Sequence, residues 1–172
     1  GMLAYVALWL STLFGVLVGS RGAGGLLDRA TVIQLHSRWA LVALAATGLH
    51  VLTVVGDPYS GISPLAVFVP GVAQKLTVPV TLGTFALFGL TSLAVATFLA
   101  DRIPKTVWRA IHATAFGTYL LALAHGVFAG SETQVPAVRA LYLGTAAMLV
   151  AAFVQRVLLS LRPSTSKDGT AP

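Results

Sequence analysis

Five apolar segments run through this chain of 172 residues and constrain its fold more than any other feature. A helix needs about 20 residues to cross a hydrocarbon core of about 30 Å. Lipid offers no hydrogen-bonding partner to the backbone, so such segments cross it as helices. The pattern therefore predicts an all-α, polytopic membrane helix bundle. Its spans are expected at about 2–19, 31–55, 78–100, 106–129 and 137–161.

The composition excludes a water-soluble domain. Only 9% of the residues are charged and the mean hydropathy is +0.86, whereas soluble domains carry roughly 25% charged residues. The lipid bilayer is therefore an expected partner. The net charge is +6, but the basic residues form no continuous stripe, so nucleic acid is not expected. The absence of cysteine excludes disulfides, iron–sulfur clusters, zinc–thiolate sites and thioether-attached heme.

Residues at the segment borders are typical of helix starts. Asp28 is a candidate N-cap for the second span, Pro104 precedes the fourth, and Pro136 leads into the fifth. The first segment lacks a basic flank and a clear small-x-small cleavage site. We therefore expect it to be retained as a span rather than removed as a signal peptide.

The basic residues predict the orientation, because Lys and Arg accumulate in cytoplasmic loops. In a five-span arrangement only Lys75 and Arg139 lie on one side. The other nine lie on the opposite side: Arg21, Arg29, Arg38, Arg102, Lys105, Arg109, Arg156, Arg162 and Lys167. This split predicts a multi-pass cell-membrane protein with its N-terminus outside and its C-terminus in the cytoplasm.

Two segments outside the spans have distinct character. In the outer loop 56–77, the apolar stretch 62–72 is interrupted by prolines and is too short to span. It either lies at the interface as a lid over the bundle or forms an ordinary surface loop. The tail 163–172 has no periodicity and is predicted to be a disordered cytoplasmic tail. Residues 1–162 then form one transmembrane domain.

All four histidines lie within predicted spans: His36 and His50 in the second, His112 and His125 in the fourth. Ionisable groups are costly in a bilayer, so intramembrane histidines are functional candidates. These two spans run in the same direction, so His36 is expected level with His112, and His50 with His125. The separations correspond to about 21 Å and about 20 Å along the helix axes. Imidazole is a natural axial ligand for heme iron, so the pattern predicts two stacked bis-histidine heme sites.

The rotational register of the fourth span is less simple. At about 100° per residue, a step of 14 positions returns to within about 40° of the starting face, whereas a step of 13 lands about 140° away. Supercoiling, a bulge or a rotated heme plane would be needed, and Gly117 and Gly126 are positions where local distortion is tolerated. The alternative for each histidine is a buried imidazole hydrogen-bonded to a neighbouring helix.

The spacing H-x13-H on one span and H-x12-H two spans later resembles the ferric reductase-like transmembrane domain. Trp108-Arg109-Ala110-Ile111-His112 is similar to the W-x3-H of that family, and His125 follows at the family's distance. The stretches Leu35-His36-Ser37-Arg38-Trp39 and Leu49-His50 resemble its other ligand helix. The resemblance covers roughly residues 5–160.

The resemblance implies an electron-transfer heme subunit of an oxidoreductase. An inner b-type heme would be held by His36 and His112, an outer one by His50 and His125, and electrons would pass from inside to outside. Many family members carry a C-terminal flavin and nicotinamide domain, but the given chain stops soon after its last span and contains no G-x-G-x-x-G after a strand. We therefore expect a separate flavin- or quinol-type donor and an external acceptor or periplasmic redox partner.

Three further residues are candidates for the inner site. Arg38 and Arg109 lie within three positions of the inner histidines, where heme propionates require cationic donors; the alternative is that both are flanks of the positive-inside pattern. Trp108 either packs against the porphyrin or anchors the helix at the interface.

Two other functions compete with electron transfer to an external acceptor. One is a quinol-linked cytochrome b anchor subunit. The other is a metal or proton transporter lined by histidines, although the predicted spans contain no Asp or Glu. Hydrolytic chemistry is not expected, because no nucleophile–His–carboxylate set lies within the spans.

Overall fold

A computed structural model describes residues 1–19 and 28–161, and every regular element within them is a helix. The helices are α1 (Met2–Gly19), α2 (Arg29–Gly56), α3 (Pro64–Phe68), α4 (Thr77–Phe98), α5 (Lys105–Ala113), α6 (Ala115–Ala129) and α7 (Pro136–Leu161). The predicted tail 163–172 and residues 20–27 of the first loop lie outside the described residues.

The expected helix starts are confirmed. Asp28 caps α2, since its side chain accepts a hydrogen bond from the backbone N–H of Thr31. Pro104 is the N-cap residue of α5 and Pro136 is the first residue of α7. Proline suits these positions because its missing N–H would have no helical partner there.

Four helical segments among the described residues are long and apolar enough to cross a membrane. They are Arg29–Gly56, Thr77–Phe98, Lys105–Ala129 and Pro136–Gln155. Helix α1 has the predicted bounds 2–19. With 18 residues, or about 27 Å, it is shorter than the four candidate spans. The fold is thus compatible with a multi-pass membrane protein that has four candidate spans, and the fifth span and the orientation stay predictions.

The fourth span is not one continuous helix. It breaks at Thr114, whose backbone N–H bonds to the carbonyl of Ile111 at 3.0 Å. This bond reaches back three residues instead of four, so the chain turns more tightly at this point. The break lies between His112 and His125 and changes their relative rotation. Gly117 and Gly126, the positions where distortion would be tolerated, both lie inside α6, and the break is at Thr114 instead.

The segment between α2 and α4 is attached to the bundle. Within it, α3 lies against α4, and Ala66 is buried. The hydroxyl of Thr84 donates to the carbonyl of Ala66 at 3.0 Å, and the backbone N–H of Gly71 donates to the hydroxyl of Thr81 at 2.9 Å. Of the two alternatives for this loop, the structure therefore favours a cap fixed on the bundle.

The helices pack in two main pairs, α1 along α2 and α4 along α6, and α1 also contacts α6 and α7. The buried cluster between α1, α6 and α7 contains Tyr5, Val16, Tyr119, Tyr142 and Leu149. Inside it the hydroxyl of Tyr5 bonds to the hydroxyls of Tyr119, at 2.9 Å, and Thr145, at 2.5 Å. Large apolar side chains cover the outside, which suits a bundle surrounded by lipid.

Candidate functional site

The four histidines form two pairs between α2 and the broken helix α5–α6. The ring centroids of His36 and His112 are 5.9 Å apart, with the ring planes at 80°. Those of His50 and His125 are 6.2 Å apart, with the planes at 58°. All four side chains are half-buried. The structure thus brings together the residues expected at each level.

His36 is positioned by helix α1. Its Nδ1 lies 2.8 Å from the carbonyl oxygen of Ser11, and the Ser11 hydroxyl donates to the His36 carbonyl at 3.2 Å. One turn further along α1 is Gly15, where a Cβ atom would come within 3.2 Å of the His36 ring. The imidazole therefore lies in a groove that a larger residue at position 15 would narrow.

His125 is positioned in the same way by helix α4. Its Nδ1 lies 2.8 Å from the carbonyl oxygen of Pro79. One turn further along α4 is Gly83, where a Cβ atom would lie only 2.7 Å from that Nδ1. The absence of a side chain at Gly83 is therefore a condition for the observed position of His125.

Both arrangements combine a backbone carbonyl with a glycine four residues later. The side chain at i+4 lies on the same helix face as residue i, so glycine at i+4 leaves room for an imidazole beside the carbonyl of residue i. A carbonyl oxygen only accepts, so Nδ1 carries the proton in His36 and His125. In a neutral imidazole with the proton on Nδ1, the Nε2 atom is free to bind a metal, which is the tautomer that metal-binding imidazoles need.

The other member of each pair lacks such an anchor among the described residues. The His112 ring stacks on the indole of Trp108, with the centroids 4.6 Å apart and the planes at 13°. His50 lies close to Gly1, where a Cβ atom would be 3.5 Å from the imidazole. The indole nitrogen of Trp108 is buried and has no hydrogen-bond partner in the described chain, so an acceptor is missing beside the inner pair.

Trp108 contacts an inner histidine, but the side chains of the two predicted arginines bond to no other described residue. Arg38 and Arg109 are both exposed. No ion pair or hydrogen bond of either side chain occurs with another described residue. Their charges are therefore available to a ligand or to the membrane surface.

A cavity of about 750 Å³ adjoins the outer pair. Volumes of roughly 300–1,000 Å³ are usual for sites that hold cofactors or small molecules. Its wall includes His50 and His125 and is otherwise mostly apolar, with Asp57 and Glu132 among its polar residues. Sequence reasoning missed both this cavity and the supporting residues on α1 and α4.

The donor set fits a heme better than a bare metal ion. Metal–imidazole bonds of about 2.0–2.1 Å on both sides of one ion place the ring centroids roughly 6 Å apart, which is close to both observed separations. No group of three or more His, Cys, Asp or Glu side chains suited to a metal ion occurs in the described part of the chain. A heme brings its own equatorial nitrogens and needs only axial ligands from the protein.

The arrangement of the four histidines is the feature that bears most directly on function. Comparison with known proteins adds no family to it: no family model, no curated protein and no solved structure matches the chain.

Proposed function

We propose that this chain binds two b-type hemes and carries electrons across the membrane. The observation that carries the proposal is the repeated pairing of imidazoles at ring-centroid distances of 5.9 and 6.2 Å. The two histidines of α2 are separated by 14 positions, or about 21 Å along the helix. One pair therefore lies towards each side of the bundle, as a path across a bilayer requires.

Each residue of the inner pair has a defined role in this proposal. His36 and His112 would hold the inner heme, and the Ser11 carbonyl favours the tautomer of His36 that a ligand needs. Arg38 and Arg109 are exposed near this pair and supply cationic donors for the heme carboxylates. Trp108 stacks on His112 and has a free indole N–H that suits an acceptor on the ligand.

The outer pair consists of His50 and His125, and the Pro79 carbonyl orients His125. The adjoining cavity supplies the space for a macrocycle. When bound, each heme would supply one-electron oxidation and reduction at its iron. The protein's own contribution is to fix the axial imidazoles and to surround the cofactor with apolar side chains.

The direction of transfer that we propose is the one implied by the resemblance to the ferric reductase-like domain. We propose that electrons enter at His36 and His112 from a separate flavin protein or a quinol, and leave near His50 and His125. The acceptor is then an external molecule or a periplasmic redox partner. The cap formed by the segment between α2 and α4 lies beside this exit, because Ser60 and Val67 line the outer cavity.

Two alternative functions use the same histidines. A quinol-linked cytochrome b anchor subunit would also bind heme but would pass electrons to or from quinone alone. A histidine-lined transporter for metal ions or protons is less favoured, because the described acidic residues Asp28, Asp57, Asp101 and Glu132 lie outside the four candidate spans, and ion paths across membranes usually recruit carboxylates.

The decisive experiment is the visible spectrum of the detergent-purified protein, oxidised and dithionite-reduced, with heme quantified per chain. We expect two low-spin b-type hemes in the wild type and one in each of His112→Ala and His125→Ala. Thr97→Val is the matched control, because Thr97 is exposed and its hydroxyl bonds only within α4. A colourless protein that stays colourless after hemin addition would contradict the proposal and favour the transporter.

Electron transfer is tested separately from heme binding. The reduced protein, prepared with a quinol or with dithionite, is mixed with ferric citrate, and the loss of the reduced bands is followed. Reoxidation in the wild type and its loss in His125→Ala are expected if the outer pair is the exit. Reoxidation by a quinone with no reaction towards ferric citrate would instead favour the anchor subunit.

A further inference from the structure

Tyr142 is a largely buried residue that lines the outer cavity, and its hydroxyl has no partner among the described residues. The residue is 8% exposed, on α7, and its hydroxyl makes no hydrogen bond with any described residue. It lies over Gly126, where a Cβ atom would be 2.9 Å from the hydroxyl oxygen. Gly126 directly follows His125, so this hydroxyl is close to the outer histidine pair.

The neighbouring tyrosines differ from Tyr142 in this respect. The Tyr5 ring packs edge-on against the Tyr142 ring, with the centroids 4.9 Å apart. Yet the Tyr5 hydroxyl bonds to both Tyr119 and Thr145. Burying a hydroxyl without a hydrogen bond is costly, and more so where lipid replaces water around the protein. A partner for Tyr142 is therefore expected from whatever fills the space beside it.

That space is the outer cavity. Tyr142, His50 and His125 all contribute to its wall. None of the described residues that line it is Lys or Arg, whereas Asp57 and Glu132 are both present. The cavity thus lacks a cationic side chain of the kind that Arg38 and Arg109 offer near the inner pair. Apart from the amino group of Gly1, which also lines the cavity, the hydrogen-bond donors available to a ligand oxygen there are neutral groups such as hydroxyls.

We propose that the Tyr142 hydroxyl donates a hydrogen bond to a carboxylate group of the ligand in the outer cavity. The inference rests on the proposed function, since the ligand there is the outer heme. Tyr142 is then a positioning residue for the outer heme and not a ligand of its iron. Gly126 is needed for this role because a side chain there would displace the hydroxyl.

The test compares Tyr142→Phe with the parent chain in a His112→Ala background, which leaves the outer pair as the complete site. Two probes are titrated by absorbance: hemin, and iron octaethylporphyrin, which has no oxygen atom. Hydrogen bonds to charged groups contribute about 1.5–3 kcal/mol, so hemin should bind about 10- to 150-fold more weakly to Tyr142→Phe. Iron octaethylporphyrin should bind both proteins equally. The control Tyr59→Phe changes a tyrosine that is 91% exposed.

Each result has a definite meaning. An equal loss for both porphyrins means that Tyr142 acts through packing, and no loss for hemin means that it makes no bond; either overturns the inference but leaves the proposed function intact. Failure of hemin to bind even the full wild-type chain overturns both. If His112→Ala does not fold, the two midpoint potentials of the two-heme protein replace the titration. Tyr142→Phe should lower one of them, and two unchanged potentials overturn the inference.

Discussion

The Nδ1 atom of His125 donates to the carbonyl oxygen of Pro79, 46 residues earlier in the chain, at 2.8 Å. The Nδ1 atom of His36 makes the same contact with the carbonyl oxygen of Ser11. The supporting helices α1 and α4 contain no histidine. Each pair of imidazoles is therefore oriented by a third helix, which fixes the tautomer of one member and its distance from the other.

The glycine beside this contact gives the first prediction. Gly83→Ala would place a Cβ atom 2.7 Å from the Nδ1 of His125, so the imidazole has to move and the outer pair is disrupted. We expect the heme content to fall from two per chain to one, measured as pyridine hemochrome. The inner pair is untouched and should keep its heme.

The matched control is Gly48→Ala on α2, two residues before His50. A Cβ atom at this position would meet no atom within 4 Å, so the heme content should not change. Equal heme content in Gly83→Ala and in the wild type would contradict the proposed role of His125.

Tyr5→Phe tests the polar contact between α1, α6 and α7. Tyr5 is 6% exposed, and its hydroxyl bonds to Tyr119 and Thr145. Hydrogen bonds between membrane helices contribute about 0.6 kcal/mol on average and up to about 1.7. The free energy of unfolding in detergent should therefore decrease by about 1 kcal/mol. Tyr59→Phe in the exposed loop is the control, and an equal effect of the two substitutions would argue against the network.

Thr84→Val tests the attachment of the cap. The substitution keeps the side-chain shape but removes the hydrogen bond to the Ala66 carbonyl, whose net contribution is about 1 kcal/mol. Amide hydrogen exchange in residues 57–76 should become about fivefold faster. Thr97→Val removes a hydroxyl that bonds only within α4, so it should leave exchange in this segment unchanged. Unaltered exchange in Thr84→Val would mean that other contacts hold the cap.

Asp28 gives a prediction about pH. The hydroxyl and the backbone N–H of Thr31 both donate to this exposed carboxylate. The two bonds, the hydroxyl's having the larger effect, lower the pKa of Asp28 below its ordinary value. The carboxyl is therefore more acidic in the folded chain than in the unfolded one. Its contribution to stability is present above the unfolded pKa of about 3.9 and is lost as the pH falls through the lowered value.

Asp28→Asn can be compared directly, because asparagine also caps helices but does not titrate. As the pH falls below about 4, the free energy of unfolding of the wild type should decrease relative to that of this variant. Unfolding in detergent measures both. Parallel pH curves for the two proteins would show that the carboxylate makes no such contribution.

Much of the fold could be predicted from the sequence because the bilayer leaves few alternatives. Long apolar runs have to be helices, and proline or a capping carboxylate marks where they begin. The level of each histidine also follows from the sequence, since rise per residue and span direction fix its depth. This is why His36 and His112, and His50 and His125, were expected to meet.

The tertiary structure decided the features that the spacing of residues along one helix cannot predict. The turn at Thr114 depends on a local choice between two backbone hydrogen-bonding patterns. The support of His36 by Ser11 and Gly15, and of His125 by Pro79 and Gly83, depends on which helices pack together. In the sequence, each of these supports is only a residue followed by a glycine four positions later. Only the packing of α1 and α4 turned those glycines into room for an imidazole and left a cavity beside the unpartnered hydroxyl of Tyr142.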